Sequence, residues 1–128
     1  MASLRYDVRI SRSADDVWAV ITDSTRMTEW FDGIEAVHVG EGTRSLDLAV
    51  GITITECIVT NDPELRRFQY AIIEGLPDAA HLGTIDVLED GPDASRVVYG
   101  TDVADALAPI VGPTTEAGLK NLKQLLEG

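Results

Sequence analysis

The sequence is poor in cysteine, in basic residues and in long apolar runs. Its one cysteine, Cys57, cannot form a disulfide within the chain, so nothing in the sequence points to an oxidising compartment. The first ten residues, MASLRYDVRI, lack the apolar core of a signal peptide, and no segment approaches the ~18 apolar residues that a membrane helix needs. We therefore expect neither a signal peptide nor a membrane span, and we predict a cytoplasmic protein.

Basic residues are outnumbered by acidic ones, ten against 22, which gives a formal net charge of −12. A negative field of this size repels phosphate backbones and anionic lipid headgroups. We therefore expect no nucleic-acid partner and no membrane-surface partner. The simplest explanation of the excess acid is a solvated surface that keeps the protein soluble.

Metal ligands and phosphate-binding loops are also missing. His38, His81 and Cys57 show no spacing typical of a metal site, which needs three or four convergent ligands. The GEG stretch at 40–42 does not open a helix, so it is no phosphate loop. With 128 residues and 45% hydrophobic content the chain can bury a core without such support. We predict a single domain over 1–128 with no metal and no cofactor.

The first third of the chain predicts one strand and two short helices. LRYDVRI (4–10) alternates between apolar and polar residues, as a half-buried strand does. Ser13 is placed to cap a first helix, and Asp23 or Ser24 can cap a second one that runs to about Trp30.

After Gly33 the hydropathy period becomes two, and the last segment is helical again. Alternation and turn residues predict six more strands, near 34–40, 44–50, 52–61, 65–74, 81–89 and 95–104. Short connections imply antiparallel neighbours. TTEAGLKNLKQLLEG (114–128) predicts a final helix with Pro113 in its first turn, while Pro109 starts or kinks an earlier piece. The predicted fold is α+β, in the order β-α-α-β-β-β-β-β-β-α.

This order predicts a curved antiparallel sheet of about seven strands wrapped around the terminal helix. The two short helices then close one end, where Trp18 and Trp30 either seal an internal space or are ordinary core residues. Gly112, Ala117 and Gly118 would leave room between the helix and the sheet, unless Gly112 is only a break before the helix.

Alternation also predicts which residues face this space. A hairpin turning at NDPE would set Ile58 opposite Phe68 and Glu56 opposite Tyr70, with Ile52 on the same face. The same alternation puts His81, Tyr99 and Thr101 on the apolar face, and a hairpin at DGPDA sets Val87 opposite Val97 and Ile85 opposite Tyr99. A buried carboxylate needs a partner, water or a cavity. The polar set indicates either a small-molecule pocket or a satisfied Glu–Tyr pair in a solid core.

Three stretches together resemble the SRPBCC superfamily, which includes START, polyketide cyclase/dehydrase and birch-pollen-allergen-like domains. They are VRISRSADDVWAVITDSTRMTEWFDGI, then GEGTR with TITECIVTNDPELRRFQY, and finally GLKNLKQLLE. The resemblance implies a helix-grip fold with a cavity for lipids, sterols or polyketides under the last helix; some members are cyclases or aromatases. Arg44 and Glu56 match positions that often line or border that cavity, and Trp30 matches the tryptophan after the second short helix. The prolines 109 and 113 depart from the family pattern.

We therefore expect a carrier or sensor that binds a small hydrophobic molecule, as a monomer or a homodimer. The alternatives are a polyketide cyclase/dehydrase-like enzyme that uses His81 and Glu56 as acid and base, and a protein-interaction or regulatory module. In the enzyme, Tyr70 or Tyr99 would polarise a carbonyl oxygen. The candidate ligand-binding residues are Trp30, Arg44, Glu56, Tyr70, His81, Tyr99, Thr101, Gly118 and Leu122.

Overall fold

Seven antiparallel strands form one sheet, and a long C-terminal helix packs against it in a computed structural model that describes residues 1–76 and 80–128. The architecture is α+β with the helix-grip arrangement, as predicted. In chain order the elements are β1 Ala2–Ile10, α1 Ala14–Thr22, a 3-10 helix Ser24–Glu29, β2 Ile34–Val39, β3 Thr43–Leu48, β4 Thr53–Asp62, β5 Arg67–Glu74, β6 His81–Glu89, β7 Ser95–Val103, a 3-10 helix Asp105–Leu107 and α2 Ala108–Glu127.

Neighbours in the sheet are mostly neighbours in sequence. The strand order is β1-β7-β6-β5-β4-β3-β2, so only the pairing of β1 with β7 joins distant parts of the chain. Six predicted strands after Gly33 are all present, with bounds close to those expected from alternation. From β3 onward, short connections make each strand antiparallel to the one before it.

The two short helices begin as their capping residues predict. The Ser13 hydroxyl accepts a hydrogen bond from the backbone N–H of Asp16 at 3.2 Å, which satisfies one of the free donors at the start of α1. The Asp23 carboxylate does the same for Thr25 at 3.1 Å. The second helix is a 3-10 helix rather than an α-helix. It packs under β2 and helps to close one side of the sheet.

The final helix is longer than predicted, and the prediction that Pro113 lies in its first turn is wrong. The helix begins at Ala108, with Pro109 in its first turn, and Pro113 lies inside it. Pro109 suits that position because the first N–H groups of a helix have no intrahelical partner. Gly112 is therefore part of the helix and not a break before it.

The predicted register of the β4–β5 hairpin is wrong by two residues. Ile58 lies opposite Tyr70, and Glu56 lies opposite Ile72, whereas the prediction paired them with Phe68 and Tyr70. The turn is at 63–66 rather than at NDPE, because β4 continues to Asp62.

Beside the turn the difference is three residues, because Asn61 lies opposite Phe68 where the predicted register would give Leu65, and irregular pairing then reduces it to two. A bulge lies between Ile58 and Thr60, so that Val59 has no opposite residue. Ile52 precedes β4 and is 41% exposed, so its predicted place on the interior face is also wrong. The β6–β7 hairpin is as predicted, with Val87 opposite Val97 and Ile85 opposite Tyr99.

The core lies between one face of the sheet, the two N-terminal helices and α2. Its fully buried members come from every layer: Ile10, Val17, Ile21, Phe68, Val87, Val97, Tyr99 and Leu122. Trp30 is buried, and Trp18 is half-buried against the same cluster. Within the described residues, α2 and the other helices are too short or too polar to cross a membrane.

Candidate functional site

The interior face of the sheet carries the polar residues that alternation predicts. Glu56, Tyr70, Tyr99 and Thr101 are all buried there, and His81 at the start of β6 is half-buried. They come from four strands, β4 to β7, which lie side by side in the sheet. We call this set, together with Arg44, the polar cluster.

Arg44 and Glu56 form a buried ion pair. The residues face each other across β3 and β4, and the Arg44 Nε donates to Glu56 Oε1 at 2.7 Å. Their side chains are only 3% and 4% exposed, so water screens the pair little. Burial raises the pKa of Glu56, and the charge and hydrogen bond of Arg44 oppose that rise. A second Arg44 donor, Nη1, binds the Ser24 hydroxyl at 3.1 Å and so connects the pair to the 3-10 helix.

The guanidinium of Arg44 also lies over two aromatic rings of β5. Its central carbon is 4.7 Å from the ring centre of Tyr70 and 5.3 Å from that of Phe68. A desolvated cation over an aromatic face is attracted by the ring's quadrupole. Stacking and hydrogen bonding therefore fix the position of Arg44 from several sides.

Tyr70 and Tyr99 join their hydroxyl groups in a hydrogen bond. The two rings are nearly perpendicular, at 86°, with centres 6.4 Å apart. Gly83 allows this arrangement, because a Cβ atom built there would lie only 2.5 Å from Cζ of Tyr70. Burial is the main cause of a raised pKa in both phenols, so both keep their protons.

A series of aromatic contacts continues from this pair to α2. The Tyr99 ring meets the edge of Phe31 at 6.2 Å between centres, and Phe31 packs on Trp30 at 4.4 Å. A Cβ at Gly118 would lie 3.2 Å from the Phe31 ring, so this helix position takes up the ring. Asn121 of α2 donates to the Trp30 carbonyl at 3.1 Å. Phe31 is a site residue that the sequence analysis missed.

His81 is neutral at physiological pH. Its Nδ1 accepts a hydrogen bond from the backbone N–H of Ile72 at 3.3 Å, and its ring centre lies 5.3 Å from that of Tyr70. Burial, with a smaller effect of the Arg44 charge, lowers the pKa of His81 to about 4. The proton of the neutral ring is therefore on Nε2, which is a donor.

Three fully buried polar atoms lack a hydrogen-bond partner among the described residues: Trp30 Nε1, Ser95 Oγ and Thr101 Oγ1. Thr101 lies on the interior face two residues after Tyr99, opposite Gly83. Leaving such a group unpaired costs about 1–3 kcal/mol, so each one calls for an explanation.

The predicted space between sheet and helix is crossed by these rings. Gly112 and Gly118 do not leave a gap between α2 and the rest of the protein, because the Tyr6 hydroxyl and the Phe31 ring lie against them. Leu122 is fully buried in the core. One surface depression lies at the start of α1 beside Arg66, and a second lies on the outer face of β1, β6 and β7. Of the polar cluster, only Thr101 lines a depression, and it is the second one.

Metal-binding groups do not gather here. Across residues 1–76 and 80–128, no three His, Cys, Asp or Glu side chains lie close enough to hold a metal ion.

The comparisons with known proteins agree on the fold. The protein XoxI from Bacillus cereus is 24% identical with a TM-score of 0.88, over 99% of this chain and 96% of that one. The Zhui aromatase/cyclase from a Streptomyces species is 19% identical with a TM-score of 0.87, over 98% and 93%. A START superfamily protein from Mycobacterium smegmatis is 15% identical with a TM-score of 0.84, over 98% and 97%.

Curated proteins gave no match to this sequence. The family model described as "Polyketide cyclase / dehydrase and lipid transport" matches residues 1–127. That match covers the whole sheet and all of α2. The chain therefore belongs to the polyketide cyclase/dehydrase and lipid transport family.

Proposed function

We propose that this protein binds a small hydrophobic molecule between the sheet and α2, as a carrier or a sensor. The observation that carries the proposal is the polar cluster, which lies buried in an interior that is otherwise apolar. A core of this size does not need a buried ion pair, because well-packed hydrophobic residues are often equally or more stable in its place. Fixed polar groups on an apolar wall are, by contrast, what orients a small molecule in a pocket.

The family and the similar structures support the same proposal. The family description names lipid transport, and one similar structure is an aromatase/cyclase. Lipids and aromatic molecules both expose large apolar surfaces. Burying ~250 Å² of such surface gives about 6 kcal/mol before the costs of association.

Entry of a ligand requires an aromatic side chain to move. Phe31 lies between Gly118 of α2 and Tyr99 of β7, and Tyr70 packs on the other side against the Tyr99 ring. Phe31 follows the 3-10 helix in a short connection, whereas Tyr70 is held by Gly83, by the His81 ring and by its hydrogen bond to Tyr99. We propose that a ligand takes the place of the Phe31 ring while the Tyr70–Tyr99 pair stays in place.

The geometry gives acid–base catalysis less support. His81 could take up a proton at Nδ1 only by losing its hydrogen bond from Ile72. Glu56 is already engaged by Arg44 at 2.7 Å. Both groups are thus arranged to hold hydrogen bonds rather than to transfer protons, which favours binding over a cyclase/dehydrase reaction.

Native mass spectrometry of freshly purified protein is the first test. We expect the native protein to be heavier than the chain alone. The extra mass should be an apolar molecule that acid denaturation releases unchanged. If the released molecule is instead converted during incubation, and His81→Gln stops the conversion but not the binding, the protein is an enzyme.

A nuclear magnetic resonance titration then locates the site. The chain has two tryptophans, so its spectrum has two indole N–H signals, which Trp18→Phe and Trp30→Phe assign. With decanol as the probe, we expect the signal of buried Trp30 to shift and that of half-buried Trp18 to stay. Binding in the interior would be contradicted if only the Trp18 signal shifts, or if neither signal shifts to a plateau as decanol is added.

A further inference from the structure

The Tyr70–Tyr99 pair has one hydroxyl proton more than it can use. Each phenol carries a single O–H, and in a bond between two phenols one hydroxyl donates while the other accepts. Neither hydroxyl makes another hydrogen bond within the described residues. The accepting tyrosine therefore has a proton that no protein atom receives.

Two more donors without partners accompany this proton. Thr101 Oγ1 is fully buried on the same face of β7 as Tyr99. Trp30 Nε1 is fully buried as well, and its ring lies beyond Phe31 in the aromatic series that begins at Tyr99. An indole N–H can only donate. The unused hydrogen-bonding capacity along this series is therefore mainly that of donors.

The charge of the interior is already balanced. Arg44 is paired with Glu56, and His81 is neutral at physiological pH. A ligand carboxylate would bring a second negative charge next to Glu56, with no cation left to neutralise it. Burying an unpaired charge costs far more than burying a neutral acceptor.

We propose that the Tyr70–Tyr99 pair and Thr101 form a subsite for an uncharged oxygen, so that the ligand is a neutral ketone or phenol and not a fatty acid. This inference rests on the proposed function. The ring-lined path between Trp30 and Tyr70 favours a flat molecule, whose oxygen accepts the free phenol proton and the Thr101 hydroxyl proton.

Three naphthalenes of similar size test the proposal: acetonaphthone, naphthoate and ethylnaphthalene, each substituted at the same ring position. They offer a neutral acceptor, a carboxylate and no oxygen. Their dissociation constants are measured by ligand-observed nuclear magnetic resonance at neutral pH. We expect the ketone to bind about tenfold more tightly than the hydrocarbon, as one or two neutral hydrogen bonds allow, and the carboxylate to bind most weakly.

Variants assign the difference to the subsite. In the double variant Tyr70→Phe, Tyr99→Phe we expect the ketone to lose its advantage, so that it binds like ethylnaphthalene. Thr101→Val keeps the shape of the side chain and should remove part of the advantage, about threefold. Tyr6→Phe is the matched control, because its hydroxyl lies against Gly112 of α2 and outside the pair. We expect it to leave the ketone's advantage unchanged.

The outcomes separate the two proposals. Naphthoate binding as tightly as the ketone, or a ketone advantage that survives both Thr101→Val and the double variant, would overturn the subsite and leave the proposed function standing. If the double variant does not fold, Thr101→Val alone decides the matter. Failure of all three naphthalenes to bind the wild-type protein would overturn the subsite, while the decanol titration judges the proposed function separately.

Discussion

Breaking the Arg44–Glu56 pair from one side should destabilise the protein more than removing both charges. The two side chains are 3% and 4% exposed and joined at 2.7 Å, so either one left alone is a buried, uncompensated charge. Loss of one partner of such a pair typically costs about 3–5 kcal/mol, while apolar replacement of both is often close to neutral. We therefore expect Arg44→Met and Glu56→Gln to be strongly destabilising and the double variant to be more stable than either.

Urea unfolding at neutral pH measures these differences. For a domain of this size the dependence of the unfolding free energy on urea is about 1–3 kcal/mol per M, so a loss of 3 kcal/mol moves the midpoint by roughly 1–3 M. The partly exposed pair of Arg67 and Asp86, joined at 2.8 Å with side chains 45% and 23% exposed, serves as the control. Its coupling energy should be below about 1 kcal/mol. If the double variant loses as much unfolding free energy as the two single variants together, the two charges do not depend on each other and this reasoning is wrong.

Two further predictions concern the neighbours of this pair. Gly83→Ala should lower the free energy of unfolding by about 1–3 kcal/mol, because its Cβ would lie 2.5 Å from the Tyr70 ring. Gly100→Ala on β7 is the control and should lower it less, because its Cβ meets only one atom, at 3.5 Å. Equal losses in urea unfolding would argue against close packing at Gly83. His81 should make stability fall as the pH drops from 6.5 towards 4, by up to about 1.4 kcal/mol per pH unit, because the unfolded chain binds a proton that the folded state, with its pKa of about 4, does not. His81→Gln removes this contribution, so a difference between variant and wild type that stays constant with pH would contradict it.

Alternation predicted the sheet well wherever strands are regular. Val87 lies opposite Val97 because both strands alternate without interruption up to a short turn. The predicted register of the β4–β5 hairpin is wrong because NDPELR offers several turns of similar quality, and the bulge at Val59 then moves the pairing back by one residue. Bulges depend on packing with neighbouring strands, which a single segment does not encode.

The candidate site was predictable in part for the same reason. Strict alternation placed Glu56 and Tyr99 on the interior face. Arg44 entered through the resemblance, although it shares a strand face with Leu46 and the pattern of β3 already indicated its inward direction. Phe31 was missed because it follows a 3-10 helix, where neither a helical nor a strand period holds.

Glycines on a helix that faces a curved sheet can either leave free space or make room for a neighbouring side chain. Gly112 and Gly118 were each a reason to expect free space, yet they lie against the Tyr6 hydroxyl and the Phe31 ring. The Phe31 ring fills space beside Gly118 that a flat apolar molecule could occupy in its place. A ligand that makes the hydrogen bonds which Thr101 and the tyrosine pair leave unused would gain those bonds in addition to replacing the Phe31 ring. Displacement of that ring is therefore more favourable for a ligand with an accepting oxygen than for a hydrocarbon of the same shape.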